Sequence, residues 1–188
     1  MYRGGIKRLL DFLFAFFALI LLSPVIAAIA LTIRTSDPGP AIFRQQRVGT
    51  GGRHFTIFKF RSMPIDTGDI ASDLLGEVRL SAVGRFIRRT NLDELPQLFN
   101  ILRGDMSLVG PRPPIPSQIE LISMRRENGA LACRPGLTGL AQVNGYDGMS
   151  VPHKASFDGD YARRITFLDD LIIILRTFGY VLKPPPTY

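Results

Sequence analysis

Tryptophan is missing from this 188-residue chain, and its five tyrosines are scattered. Binding to single-stranded nucleic acid normally combines a basic groove with aromatic stacking platforms. Without such a patch, the net charge of +7 does not point to nucleic acid. Cysteine occurs once, at Cys133, which excludes an internal disulfide and fits a reducing compartment. Acidic residues are scarce in the first third. Residues 1–61 hold nine Lys/Arg against Asp11 and Asp37, while residues 62–188 hold fourteen of each sign. The positive excess therefore surrounds the apolar segment described next, and anionic phospholipid is the partner it suggests. Missing motifs exclude two chemistries. Gly49-Thr50-Gly51-Gly52 is followed by neither Gly-Lys-Ser/Thr nor a helical pattern, so it is not a phosphate loop. The Asp-x-Asp-x-Thr/Val signature of an aspartyl-phosphate phosphatase is absent. No internal repeat is present, and the length suits one domain with a core of its own.

What the chain does have begins with an almost unbroken apolar run over 12–33. Three readings compete for it. Ala28-Ile29-Ala30 imitates the cleavage site of a signal peptide. The run is also long enough for a helix that crosses a bilayer, which takes about 20 residues. The third reading is a re-entrant pair of helices broken at Ser23-Pro24. Arms over 12–22 and 25–33 would be about 16 and about 13 Å long at helical rise, too short to cross a hydrocarbon core of about 30 Å. Charge separates the readings. Arg3, Lys7 and Arg8 precede the run, and Arg34, Arg44, Arg47 and Arg53 follow it. Positive flanks belong on the cytoplasmic side, and only the re-entrant form keeps both there.

After a linker at Asp37-Pro38-Gly39-Pro40, residues 41–48 and 54–60 read as strands of a hairpin. Phe55, Ile57, Lys59 and Arg61 share one face by the strand period of two. Cations ending an apolar face are either a solvated strand end or anion ligands. Residues 64–81 read as a loop with one short helix. Arg85, Arg88 and Arg89 then make either an exposed basic helix face or a positive rim.

Two adjacent carboxylates, Asp93 and Glu94, open a pattern with apolar positions Leu95, Leu98, Phe99 and Leu102. Pro96 is tolerated only in a first turn, so the helix is expected to start near 91–93, with both acids at its positive end. The bland alternative is a capping box, Thr90-x-x-Asp93 or Asn91-x-x-Glu94. Residues 106–110 read as a short buried strand leading to Pro111-Arg112-Pro113-Pro114. Prolines on both sides restrict Arg112 to extended backbone, which either marks a surface turn or holds a planar guanidinium for phosphate. Residues 116–128 read as a helix capped by Ser117, and 134–145 as a glycine-rich loop. Lys154, Asp158 and Tyr161 fall on one helix face, where a Lys154–Asp158 salt bridge is the simple explanation. Residues 166–182 read as a helix of the core or of a membrane interface.

Arg88-x-Thr90-Asn91-Leu92-Asp93-Glu94-Leu95-Pro96-Gln97-Leu98, then 100–113 ending in Gly110-Pro111-Arg112-Pro113, resembles the core of the bacterial sugar transferases, the monotopic phosphoglycosyl transferases. Lys7-Arg8-x-x-Asp11, Ser23-Pro24, 58–63 and 134–145 extend the likeness to nearly the whole chain, of the small single-domain type. Departures occur at Leu140, where the family usually has Trp, and at Tyr146, often Arg, which puts nucleotide contacts there in doubt. The resemblance implies a mixed α/β fold with a re-entrant anchor over 1–36 and a catalytic domain over 37–188. That domain would lie on the cytoplasmic face of the bacterial cell membrane. It also implies transfer of a sugar-1-phosphate from a UDP-sugar to polyprenyl phosphate, with release of UMP, and a requirement for Mg²⁺. On the same analogy Asp93 is the nucleophile and Glu94 a metal partner. Lys59, Arg61, Arg88 and Arg112, set between Pro111 and Pro113, bind phosphate. These motifs specify neither the sugar nor the pathway nor an oligomeric state. The rival from another class is a basic peripheral protein that binds anionic lipid and does no chemistry, which leaves Asp93-Glu94 beside Arg112 without a reason.

Overall fold

The longest element is a helix, α1 (Lys7–Ser36), entered through a π-helical turn at Tyr2–Ile6. The computed structural model describes residues 2–64, 81–145 and 148–181. At 30 residues, α1 is about 45 Å long. Its sequence is apolar on nearly every side, and only one stripe meets protein. Asp11, Ala15 and Ile33 are buried. Between them Ala18, Leu19 and Leu22 pack on one core, and Ile26, Ile29 and Ala30 on a second. That spacing of three and four is one helix face. Leu9, Phe14, Phe17, Ile20, Leu21 and Leu31 project outward, each at least half exposed.

The expected division into two arms does not appear as a break, because the helix continues through Pro24. Proline lacks the N–H that would bond the carbonyl four residues earlier, Ile20. The Ser23 hydroxyl donates to that carbonyl instead, at 2.8 Å. Serine before proline thus satisfies the acceptor that proline leaves free.

The hairpin pairs β1 (Ile42–Val48) with β2 (His54–Phe60), antiparallel, with Ile42 opposite Phe60 and Val48 opposite His54. Gly51 and Gly52 take positive φ in its turn, as the glycine cluster suggested. α2 (Ala82–Arg89) is capped by the Ser81 hydroxyl, which accepts from the Gly84 N–H at 2.9 Å. α3 (Gln97–Arg103) crosses beneath the hairpin, and Ile57, Leu98, Ile101 and Met106 close the first core with Ala15. Arg8 fastens α1 to the far end of α3, donating to the carbonyls of Ile101 and Leu102 at 2.5 and 2.7 Å. A cation is favourable at that helix terminus.

β3 (Ser107–Val109) pairs in parallel with β4 (Gly136–Thr138). The second strand lies where the sequence suggests only a loop. Glycine makes the approach possible: a Cβ on Gly136 would stand 2.1 Å from the Gly110 nitrogen. α4 (Ile119–Glu127) starts later than expected and without a Ser117 cap; Gln118 occupies the cap position and its side chain accepts from Ile115 N–H. A short α5 (Leu140–Val143) precedes α6 (Val151–Arg163) and α7 (Phe167–Val181). α7 buries Asp170 and Ile173 and exposes Phe167, Leu168, Leu175 and Phe178. That is the character of an interfacial helix. Within the fold Asp170 accepts from Lys7 at 2.5 Å and from the Tyr161 hydroxyl at 2.9 Å. The Tyr161 hydroxyl shares its one proton between that carboxylate and the Val109 carbonyl, at 3.0 Å, and Asp11 accepts from Leu108 N–H at 3.0 Å. The start of α1 is therefore tied to β3 from two sides. Most of the expected loop at 64–81, and Tyr146, lie outside the described residues.

Candidate active site

Asp93 and Glu94 do not open α3. They sit in a 3₁₀ turn, Leu92–Glu94, entered through Asn91 in the left-handed region at φ 53°. α3 begins only at Gln97, with Pro96 as its cap residue. The reason is Pro96 itself, which cannot supply the N–H that would carry an α-helical ladder back to residue 92. The capping boxes are not formed either. No side chain caps the 3₁₀ turn, and the Thr90 hydroxyl bonds back to the Phe86 carbonyl at 2.8 Å.

Glu94 is instead the acceptor at the centre of a charged cluster. Its Oε1 receives Lys59 Nζ at 2.8 Å and Arg112 Nη2 at 3.0 Å. Burial alone would raise the Glu94 carboxyl, but Lys59 and then Arg112 outweigh it and hold it well below the usual carboxylate range. Burial pushes the Lys59 ammonium down, with Glu94 opposing. Burial likewise pushes the Asp93 carboxyl up to about 6; Lys59 opposes this, Glu94 adds to it, and Arg88 and Arg112 lower it again. The two adjacent acids are thus unlike. Glu94 is an anion between two cations, and burial leaves Asp93 the more basic carboxylate.

Of the residues expected from the sequence, the structure brings together Asp93, Glu94, Lys59 and Arg112, with Arg88 in electrostatic range of Asp93. Arg61 is not among them. β2 ends at Phe60, so the alternation that would place Arg61 beside Lys59 stops one residue short. Its guanidinium is buried against the linker, donating to the carbonyls of Asp37 and Pro38. Ser23 and Pro24 belong to α1 and take no part in the cluster.

Segment 111–114 explains how Arg112 is held. Pro111, Pro113 and Pro114 have no N–H, so Arg112 has the segment's one backbone donor and its four carbonyls offer the other backbone bonds. All four are bonded. Gly136 N–H donates to Pro111 at 2.9 Å and Val48 N–H to Pro114 at 2.9 Å. Arg125 donates to Arg112 at 2.8 Å and Arg47 to Pro113 at 3.1 Å. Asn100 holds the other side: it accepts from Phe58 N–H at 3.1 Å and donates to the Thr56 carbonyl at 2.7 Å, locking α3 to the strand that carries Lys59. Asp158, expected to meet Lys154, pairs directly with Arg125, and Lys154 adds a further electrostatic interaction with it. Sequence reasoning passed over Asn100, Arg125 and Arg47. The one available signal was Asn100, a polar residue among the apolar positions of its helix and wholly buried.

Among the described residues no group of three or more His, Cys, Asp or Glu could hold a metal ion alone. Magnesium does not need one, because it usually takes one or two carboxylates plus phosphate oxygens and water. Asp93 and the second oxygen of Glu94 are hard oxygen donors of the right kind.

A buried carboxylate pair flanked by cations thus lies in a domain that carries one long helix with a largely apolar exposed face. The chain belongs to the bacterial sugar transferase family, whose model it matches over residues 2–184. It is 42% identical over 191 residues to the UDP-glucose:undecaprenyl-phosphate glucose-1-phosphate transferase of Caulobacter vibrioides, covering 97% of this chain and 72% of that one. It is 37% identical over 204 residues to the exopolysaccharide production protein ExoY of Sinorhizobium fredii, covering 98% and 89%. It is 38% identical over 200 residues to the undecaprenyl-phosphate galactose phosphotransferase of Salmonella typhimurium, where it covers 97% of this chain but spans only 42% of the relative's length.

Proposed function

We infer that this protein transfers a sugar-1-phosphate from a UDP-sugar to a polyprenyl phosphate, releasing UMP and forming polyprenyl-diphospho-sugar. One observation carries the reading: Glu94 is neutralised by Lys59 and Arg112 while the adjoining Asp93 has its carboxyl pushed up to about 6. Two of the named relatives are, by name, a UDP-glucose:undecaprenyl-phosphate glucose-1-phosphate transferase and an undecaprenyl-phosphate galactose phosphotransferase. In this reading Asp93 attacks the sugar-bearing phosphorus. The bond from that phosphorus to the bridging oxygen breaks, and UMP leaves with the electron pair. A phosphate oxygen of the polyprenyl carrier then attacks the same phosphorus and frees Asp93. Covalent relay divides one difficult transfer into two easier ones. Arg112, Lys59 and Arg88 bind phosphate oxygens and offset the charge that accumulates on them. Mg²⁺, held by Asp93 and Glu94, would neutralise the diphosphate of the nucleotide sugar.

The bilayer contact is formed by the outer faces of α1 and α7, with anionic phospholipid meeting the basic flanks. Both ends of α1 pack on the same domain, Arg8 on α3 at one end and Ile33 against Phe60 and Ile87 at the other. Support follows for a monotopic association in which both flanks of α1 stay on the cytoplasmic side. The purely lipid-binding alternative provides no partner for the Asp93–Glu94 cluster. The test is UMP release from a panel of UDP-sugars, with polyprenyl phosphate and Mg²⁺ present. Multiple-turnover release that depends on both substrates is expected, with at most one UMP per enzyme when polyprenyl phosphate is withheld. Lipid binding without UMP release from any of the panel would contradict the reading.

A further inference from the structure

Arg125 is one of the most deeply buried side chains in the molecule, at 2% exposure, and it belongs to a part of the chain, α4, that contributes nothing to the charged cluster itself. Its guanidinium is used in two directions. Nε donates to Asp158 Oδ2 on α6 at 2.8 Å, and Nη1 donates to the backbone carbonyl of Arg112 at 2.8 Å. The side chain of that same Arg112 reaches Glu94. Asp158 is 1% exposed, so the pair is screened from water and held in one geometry. A buried ion pair is poor evidence of stability, because apolar residues often fill such a place as well or better. Its donation to a carbonyl in a segment whose neighbouring residues lack N–H groups is the informative feature. We propose that Arg125, fixed by Asp158, is a positioning residue that sets the backbone of Arg112 and so the aim of its guanidinium at substrate phosphate. Arg47 serves the same end from β1 through the Pro113 carbonyl, which it reaches at 3.1 Å.

The inference rests on the reading of Arg112 as a phosphate ligand. Lysine at 125 keeps the charge opposite Asp158 but has no planar fork with which to serve Asp158 and the carbonyl together. A charge-for-charge substitution therefore separates positioning from burial. The experiment is a double-mutant cycle on the full chain in lipid bilayers. It uses Arg125→Lys, Arg112→Ala and the double variant, assayed for UMP release with the best UDP-sugar of the panel. Arg112→Ala should lower kcat/KM by about 100-fold, the scale seen when a preorganised donor to a developing charge is removed. Arg125→Lys should lower it by roughly tenfold, partly through a raised KM for the UDP-sugar, and by less than about twofold once Arg112 is alanine. A side chain that only stabilised the fold would reduce the active fraction, lowering kcat at unchanged KM, and would add its full effect in the double variant. Arg47→Lys, at a partly exposed position, reads the same coupling should Arg125→Lys fail to fold. Additive losses for these variants beside a damaged Arg112→Ala would overturn the positioning role alone. Parent-like kinetics for Arg112→Ala would overturn the phosphate reading and this inference with it.

Discussion

At Glu94 a single carboxylate oxygen accepts from both Lys59 and Arg112, and the consequence falls on its neighbour. The two cations are already engaged by Glu94, so they relieve only part of the cost of burying Asp93. A carboxylate that remains relatively basic is the better nucleophile of the pair. Asp93→Asn should therefore abolish UMP release while leaving the melting temperature and bilayer binding close to the parent, since Asp93 is exchanged for a near-isostere. Turnover by the Asn variant would remove Asp93 from the chemistry. Arg112→Lys keeps the charge but loses the fork, and should reduce kcat/KM by at least about tenfold, in line with the loss of one charge-assisted contact. Near-parent kinetics would return Arg112 to an ordinary surface turn. Arg61 provides the contrast, because it is bonded to the linker carbonyls and not to the acids. The phosphate role expected of Arg61 came from the family resemblance, whereas its side chain here faces the linker. The local pattern singled out Asp93, Glu94, Lys59 and Arg112 but left each open to a structural role, and the family resemblance assigned them to one site; the structure places the four side chains together.

Elements were harder to read where their cause is distant in sequence. The β1–β2 hairpin, α2 and α7 follow from local period and turn chemistry. β4 does not, because three residues beginning with glycine become a strand only when Gly110 approaches from elsewhere in the chain. The start of α3 was misplaced for a related reason: Pro96 caps the helix, and the acids were left to a separate 3₁₀ turn. Gly136→Ala tests the close approach. A methyl group at 2.1 Å from a backbone nitrogen forces β3 and β4 apart, and overpacking of this kind costs about 1–3 kcal/mol. A clear fall in melting temperature is expected, together with lost activity, because β3 leads directly into Pro111-Arg112. An unchanged melting temperature would mean that the two strands separate at no cost.

For the molecule as a whole, α1 is both a core element and, in the proposed function, the membrane anchor. Its inner stripe closes two hydrophobic clusters while its outer face offers mostly apolar side chains. The sequence showed the apolar run and the serine–proline pair; it could not show that one stripe would pack lengthwise on the domain, since that stripe is no more apolar than the rest. Cysteines engineered at positions 4 and 36 in a Cys133-free background should both label from the cytoplasmic side. Labelling from opposite sides would mean that the helix spans. The central claim concerns the chemistry, and whole-protein mass spectrometry under single-turnover conditions tests it most directly. Bilayer-bound enzyme given Mg²⁺ and its UDP-sugar, with polyprenyl phosphate withheld, should gain the mass of one phosphosugar, located on Asp93 and discharged when polyprenyl phosphate is added. An enzyme that turns over but never carries the adduct would contradict the account.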